Sequence, residues 1–257
     1  MFDWLRRWQR RFSRTPIAIP DALWNTVLAQ CAVLHGLDLP QREHLRFLAG
    51  QFLAEKRYSA IPGVKLDDER CLIIAAQACL PVLQLGFRHL RGWRDVIVYP
   101  GEFRVRREHH DEDTGIVTEG DDLLIGEAWE RGPLILSWAD IDADLADPHA
   151  GFNVIIHEIA HKLDMFNGAS DGVPELPAGL SRREWITTFQ SAFVAHSKAV
   201  EAGLATEIDP YAAESPDEFF ACLCEAWYSD PARVCRAMPR IAALLERFFL
   251  GHQTPPD

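Results

Sequence analysis

Nowhere in the chain do roughly eighteen apolar residues follow one another, so no segment is long enough to cross a bilayer as a helix. Positive charge is scarce. Against 38 Asp and Glu stand 26 Lys and Arg, a net charge of −12. That balance excludes a general nucleic-acid binder, because phosphate contacts need a basic surface, although a local basic patch stays open. The opening stretch MFDWLRRWQRRFSR has arginines but lacks the continuous apolar core of a secretory signal. Six cysteines would suit a disulfide framework only in a short secreted chain. Here most of them fall in apolar helical patterns of a 257-residue protein. They read as buried thiols in a reducing compartment, and a cytoplasmic location is expected.

What is present is an ordinary globular composition, 48% hydrophobic and 25% charged, enough for one large domain or two packed lobes. Trp4, Leu5, Trp8 and Phe12 share one helical face with arginines between them. That segment suits an anionic membrane or a partner, or more simply the acidic body of its own protein. Residues 20–90 read as helices. One stands behind Asp21 as a cap, one has Pro40 in its first turn, and a more apolar one is stopped by Pro81 and Gly86. From Trp93 onward short Val-, Ile- and Leu-rich runs (DVIVYP, EFRVRRE, TGIVTE, DLLIGEAW, PLILSW) predict strands joined by hairpins. His109 and His110 beside Asp111, Glu112 and Asp113 invite a metal reading, but no spacing fixes them around one point, and a solvated hairpin tip is simpler.

Helices return after Asp147, which is expected to cap DPHAGFNVIIHEIAHKLDMFNG with Pro148 first and Asn167-Gly168 as the stop. The order is helices, strands, helices: an α+β fold rather than a wound parallel sheet. The expected organisation is a basic tail at 1–19, a helical lobe at 20–92 and a catalytic lobe at 93–257, packed together as a monomer.

The chemistry lies in His157-Glu158-Ile159-Ala160-His161. Residues four apart on a helix share a face, so both imidazoles can address one ion, and Glu158 can act as base on its water. Roughly a few per cent of chains of this composition would show the pattern by chance. Val154, Ile155, Ile156, Ala160 and Leu163 make the helix a buried one, however, and polar groups there are costly unless paired or metal-bound. A third histidine at the H-x-x-G-x-x-H spacing is absent, so a later carboxylate must complete the site. Within YAAESPDEFFACLCEAWYSD, spacing divides that role evenly between Glu218 and Glu225; Glu218 also fits a capping box begun by Ser215. Cys222 and Cys224, two apart, diverge on a helix and read as core.

HEIAHKLDMFNG followed by DPYAAESPDEFFA, with FLAEKRYSAIPGVKLDDERCLIIAAQACLPVLQLG, VIVYPGEF and GPLILSWADI, resembles the Mlc titration factor A family of bacterial zinc peptidases over most of residues 20–250. The chain is similar, more distantly, to the catalytic domain of anthrax lethal factor. The resemblance implies a zincin-like α+β fold with a helical N-terminal lobe, a small mixed sheet and an active-site helix. It implies one Zn2+ per chain held by His157, His161 and Glu218, with Glu158 as base and Tyr211 stabilising the oxyanion. Asp164 and Glu225 are then expected as supports behind the ligands. It further implies aminopeptidase-like hydrolysis of a peptide or protein substrate, and a partner in the glucose-responsive repressor Mlc. A sheet edge within 115–129 or 133–141 is expected to bind substrate in extended form.

Overall fold

The structure, a computed structural model, describes residues 15–101 and 132–251. The basic segment 1–14, the histidine-acid stretch 109–113, the strand-like runs 102–108, 114–119 and 122–129, and the possible substrate edge at 115–129 lie outside the described residues.

Helix α1 (Asp21–Gln30) begins after Pro20, with Asp21 as its first residue rather than its cap. The Asp21 carboxylate instead takes Arg46 Nη2 at 2.5 Å. Helix α2 (Leu39–Glu55) carries a capping box. Asp38 accepts from the Gln41 backbone, Gln41 answers the Asp38 N–H, and Pro40 fills the first turn. Strand β1 (Arg57–Ala60) follows at once, too short to interrupt the helical periodicity around it. Helix α3 (Asp68–Cys79), capped by Asp67, stops just before Pro81 as expected.

Strands β2 (Asp95–Tyr99) and β3 (Leu134–Ser137) complete a three-stranded sheet of order β1-β2-β3. Both pairings are parallel, with Arg57 opposite Asp95 and Val96 opposite Leu134. The expected mixed sheet of hairpin-joined strands is thereby corrected among the described residues. Parallel neighbours need a crossover instead of a tight turn. Between β1 and β2 it contains α3, buried from Cys71 through Cys79.

Helix α4 (Trp138–Ala146) leaves β3 directly, capped by Ser137. Helix α5 (Val154–Asp164) bears the H-E-x-x-H motif, and it starts later than the sequence suggested. Asp147 closes α4, and Gly151, at φ +100°, lies in the left-handed region that a continuous helix cannot include. The cap of α5 is Asn153, whose Oδ1 accepts from Ile156 N at 2.9 Å. Gly168, at φ +103°, ends the short turn that follows α5, as Asn167-Gly168 predicts.

Helices α6 (Arg182–Glu201), α7 (Pro216–Ser229), α8 (Pro231–Ala237) and α9 (Pro239–Leu250) enclose an aromatic core. Trp185, fully buried, stacks on Phe189 at 4.3 Å between ring centres, with Phe220 and Phe248 around it. All six cysteines are free thiols, five of them buried. No described helix is long and apolar enough to cross a membrane.

Candidate metal centre

The centre lies where α5 packs against α7. Asn153 and Asp144 anchor the start of α5: the Val154 N–H donates to Asp144 Oδ2 at 2.8 Å, beside the Asn153 cap. From this anchored start, His157 and His161 fall one turn apart on the face towards α7. Their Nε2 atoms are 3.1 Å apart. Glu218 lies in the first turn of α7, which is begun by Ser215: its backbone N–H donates to Ser215 Oγ at 3.4 Å. Its carboxylate does not turn back to complete a capping box. Oε2 sits 3.0 Å from His157 Nε2 and 3.3 Å from His161 Nε2.

These three atoms form a triangle with edges of 3.0, 3.1 and 3.3 Å. A tetrahedral zinc with ligands at about 2.0–2.1 Å has ligand–ligand edges of about 3.3 Å. The residues therefore fit the ion. Their protonation fits as well. Glu225, one turn past Cys222 on α7, accepts from His157 Nδ1 through Oε1 at 2.6 Å. A carboxylate accepts only, so Nδ1 carries the proton and Nε2 keeps its lone pair for a metal. The other Glu225 oxygen accepts from Asn153 N at 2.7 Å.

Both carboxylates between which spacing could not choose thus reach His157, Glu218 at one ring nitrogen and Glu225 at the other. Cys222 also faces this ring, and His157, Cys222 and Glu225 form a second group of close donor atoms. Nδ1 is already engaged there, and burial pushes the Cys222 thiol up to about 11 despite its bond to His157. The first group is the one with lone pairs free to converge.

Electrostatics point the same way. Burial opposes charge on His157, yet Glu225, Cys222 and Glu218 together hold its pKa well above the ordinary value. Burial would raise Glu218, but His157 and His161 outweigh it and hold the carboxyl far below the usual range. The negative potential that favours a second ring proton at His157 Nε2 would equally favour a divalent cation in that proton's place.

Glu158 is half-buried, next to His157 on the same helix. Tyr211, in the turn Pro210–Ala213, is half exposed, with its ring centre 6.4 Å from that of His157. Asp164 is fully buried and hydrogen-bonds to neither imidazole. Its Oδ2 accepts from Gly172 N at 2.8 Å, tying the loop after α5, and burial pushes its carboxyl up to about 7. The carboxylate facing His161 Nδ1 is that of Asp217, with Oδ2 at 3.9 Å and also accepting from Ser170 Oγ at 3.1 Å. Asp217, Asn153, Asp144 and Cys222 were not singled out in the sequence as site residues. Only Cys222 had a usable signal, lying one turn from Glu218.

A family model described as "Glucose-regulated metallo-peptidase M90" matches residues 4–250. A protein named Mlc titration factor A from Salmonella arizonae is 38% identical over 244 residues, covering 92% of each chain. The protein of that name from an Enterobacter species is 39% identical over 245 residues, 92% of this chain and 88% of its own. Its counterpart from Escherichia coli is 37% identical over 255 residues, 97% of this chain and 91% of its own. A motif helix, a buried donor triangle and a family match spanning nearly the whole chain lead to one conclusion: this chain belongs to the M90 family of glucose-regulated metallo-peptidases.

Proposed function

We propose that the protein is a zinc-dependent, aminopeptidase-like peptidase with a zincin-like catalytic lobe, in which His157, His161 and Glu218 hold the metal. The observation that carries this reading is the triangle of two Nε2 atoms and one carboxylate oxygen. Zinc bound there supplies positive charge to polarise a carbonyl and acidify a water. Glu158 accepts the proton of the attacking water and passes it to the departing amine. Tyr211, exposed beside the site, turns its hydroxyl towards the substrate and donates to the oxygen on which charge develops. Glu225 keeps His157 in the tautomer that leaves Nε2 free. The substrate is a peptide in extended form, added to the sheet at β3, which ends the strand order among the described residues.

A second role is supported by the name of the relatives, which describes a factor that titrates Mlc. We propose that this chain also binds an Mlc-type transcriptional regulator. The alternative is a protein that sequesters the regulator and hydrolyses little or nothing. Metal analysis together with hydrolysis of an alanine-linked chromogenic substrate separates these readings. Wild type should contain one zinc per chain and cleave. Glu158→Gln should keep the zinc and lose about 100-fold or more of the rate while still binding regulator. Wild type that carries no zinc and cleaves nothing would leave only the sequestering role.

A further inference from the structure

Gln77 is a buried primary amide in the middle of α3, 2% exposed, with Ile73, Ile74, Ala76 and Ala78 around it in sequence. Such a group costs stability unless its oxygen and nitrogen both find partners. Gln77 Oε1 accepts from Asn153 Nδ2 at 2.6 Å, and Gln77 Nε2 faces Cys31 Sγ at 3.7 Å. Asn153 is the residue that caps α5 and donates its backbone N–H to Glu225, which in turn accepts from His157 Nδ1. A continuous buried line therefore runs from Cys31 on the N-terminal helices through Gln77, Asn153 and Glu225 to His157.

The polarity of each link follows from its neighbours. The Glu225 carboxylate accepts at both oxygens, from His157 Nδ1 and from the Asn153 backbone. The Asn153 side-chain oxygen is taken by the Ile156 N–H, so its amino group must find an acceptor in the interior. Gln77 Oε1 is that acceptor. With an apolar residue at 77, the Asn153 amino group would be left unbonded. The amide would then turn away, loosening both the start of α5 and the backbone N–H that steers Glu225.

Building on the zinc reading above, we infer that Gln77 is a positioning residue for the metal centre. Through Asn153 and Glu225 it holds His157 in its metal-binding tautomer and orientation. The N-terminal helices thereby complete the site although they contribute no ligand.

The test is zinc affinity, measured by competition with a chelator, alongside thermal unfolding. Gln77→Leu, similar in volume, should weaken zinc binding about tenfold, at the lower end of what outer hydrogen-bond partners contribute. Gln77→Glu keeps an acceptor oxygen towards Asn153 but buries a charge. It should lose stability yet bind zinc within about threefold of wild type. Ile74→Val, a packing change on the same helix, should leave zinc binding unchanged. Should Gln77→Leu not fold, Gln77→Met carries the same expectation with less disturbance of packing. Unaltered zinc affinity in the Leu or Met variant, or an equal loss in the Glu variant, overturns the inference while leaving the metal centre intact. Wild type that binds no zinc overturns the metal-centre reading itself.

Discussion

Replacing Glu225 by Gln tests the centre most directly, because it changes protonation chemistry and almost nothing else. The carboxylate makes two buried bonds, to His157 Nδ1 at 2.6 Å and to Asn153 N at 2.7 Å, and accepts in both. An amide has one acceptor oxygen and one donor nitrogen. If its oxygen serves His157, its amino group faces the Asn153 N–H, donor against donor. If it flips, His157 must accept at Nδ1 and carry its proton at Nε2, where the metal lone pair is needed. The first arrangement leaves a buried N–H unsatisfied, at about 1–3 kcal/mol, and the second satisfies both bonds only by placing a proton where the metal must bind. That cost corresponds to a loss of zinc affinity of about 10- to 100-fold, since each 1.4 kcal/mol is about a factor of ten. Chelator competition measures the affinity, and hydrolysis at saturating zinc separates a weakened site from a disabled one. Zinc binding as tight in Glu225→Gln as in wild type would refute the claim that this carboxylate sets the His157 tautomer.

Three further outcomes follow from the same structure. His161→Ala removes one vertex of the donor triangle, so chelation should lower the melting temperature of wild type but not of this variant; equal shifts in a scan with and without chelator would place the metal elsewhere. Gly172→Ala should destabilise by about 2 kcal/mol or more in chemical denaturation, because φ is +75° there and an added Cβ would meet Pro216 O at 2.6 Å; a neutral substitution would contradict the packing of that loop on α7. Asp164 is raised from an ordinary 3.8 to about 7 by burial, so its protonated form is favoured in the folded state, and its contribution to stability, full below pH 4, is lost as pH rises to 7. Asp164→Asn should therefore gain on wild type in melting temperature across that window, and a difference that stays flat from pH 4 to 7 would refute the assignment.

The sequence made some of this plain and hid the rest for identifiable reasons. The apolar residues around His157 and His161 fall at helical spacing, so a buried helix presenting both imidazoles on one face was legible. Its true start was not, because Asn153 caps α5 only after Gly151 has reversed the backbone, and Asp147 looked as good a cap. Strand β1 was hidden because four residues directly after a long helix carry no alternation to read. A parallel sheet and a set of hairpins cannot be told apart from these segments, because short apolar runs look alike whichever way they pair. That choice depends on α3 crossing between β1 and β2.

On its own the chain determined that two imidazoles one turn apart, with an acid between them, would lie in a buried helix, since helical periodicity is a local property of covalent spacing. Tertiary structure alone decided that Glu218 would meet one nitrogen of His157 and Glu225 the other, and that Asn153 and Gln77 would stand behind them. Those contacts join residues far apart in sequence, and only the packing of α5 on α7 and α3 brings them within hydrogen-bonding reach.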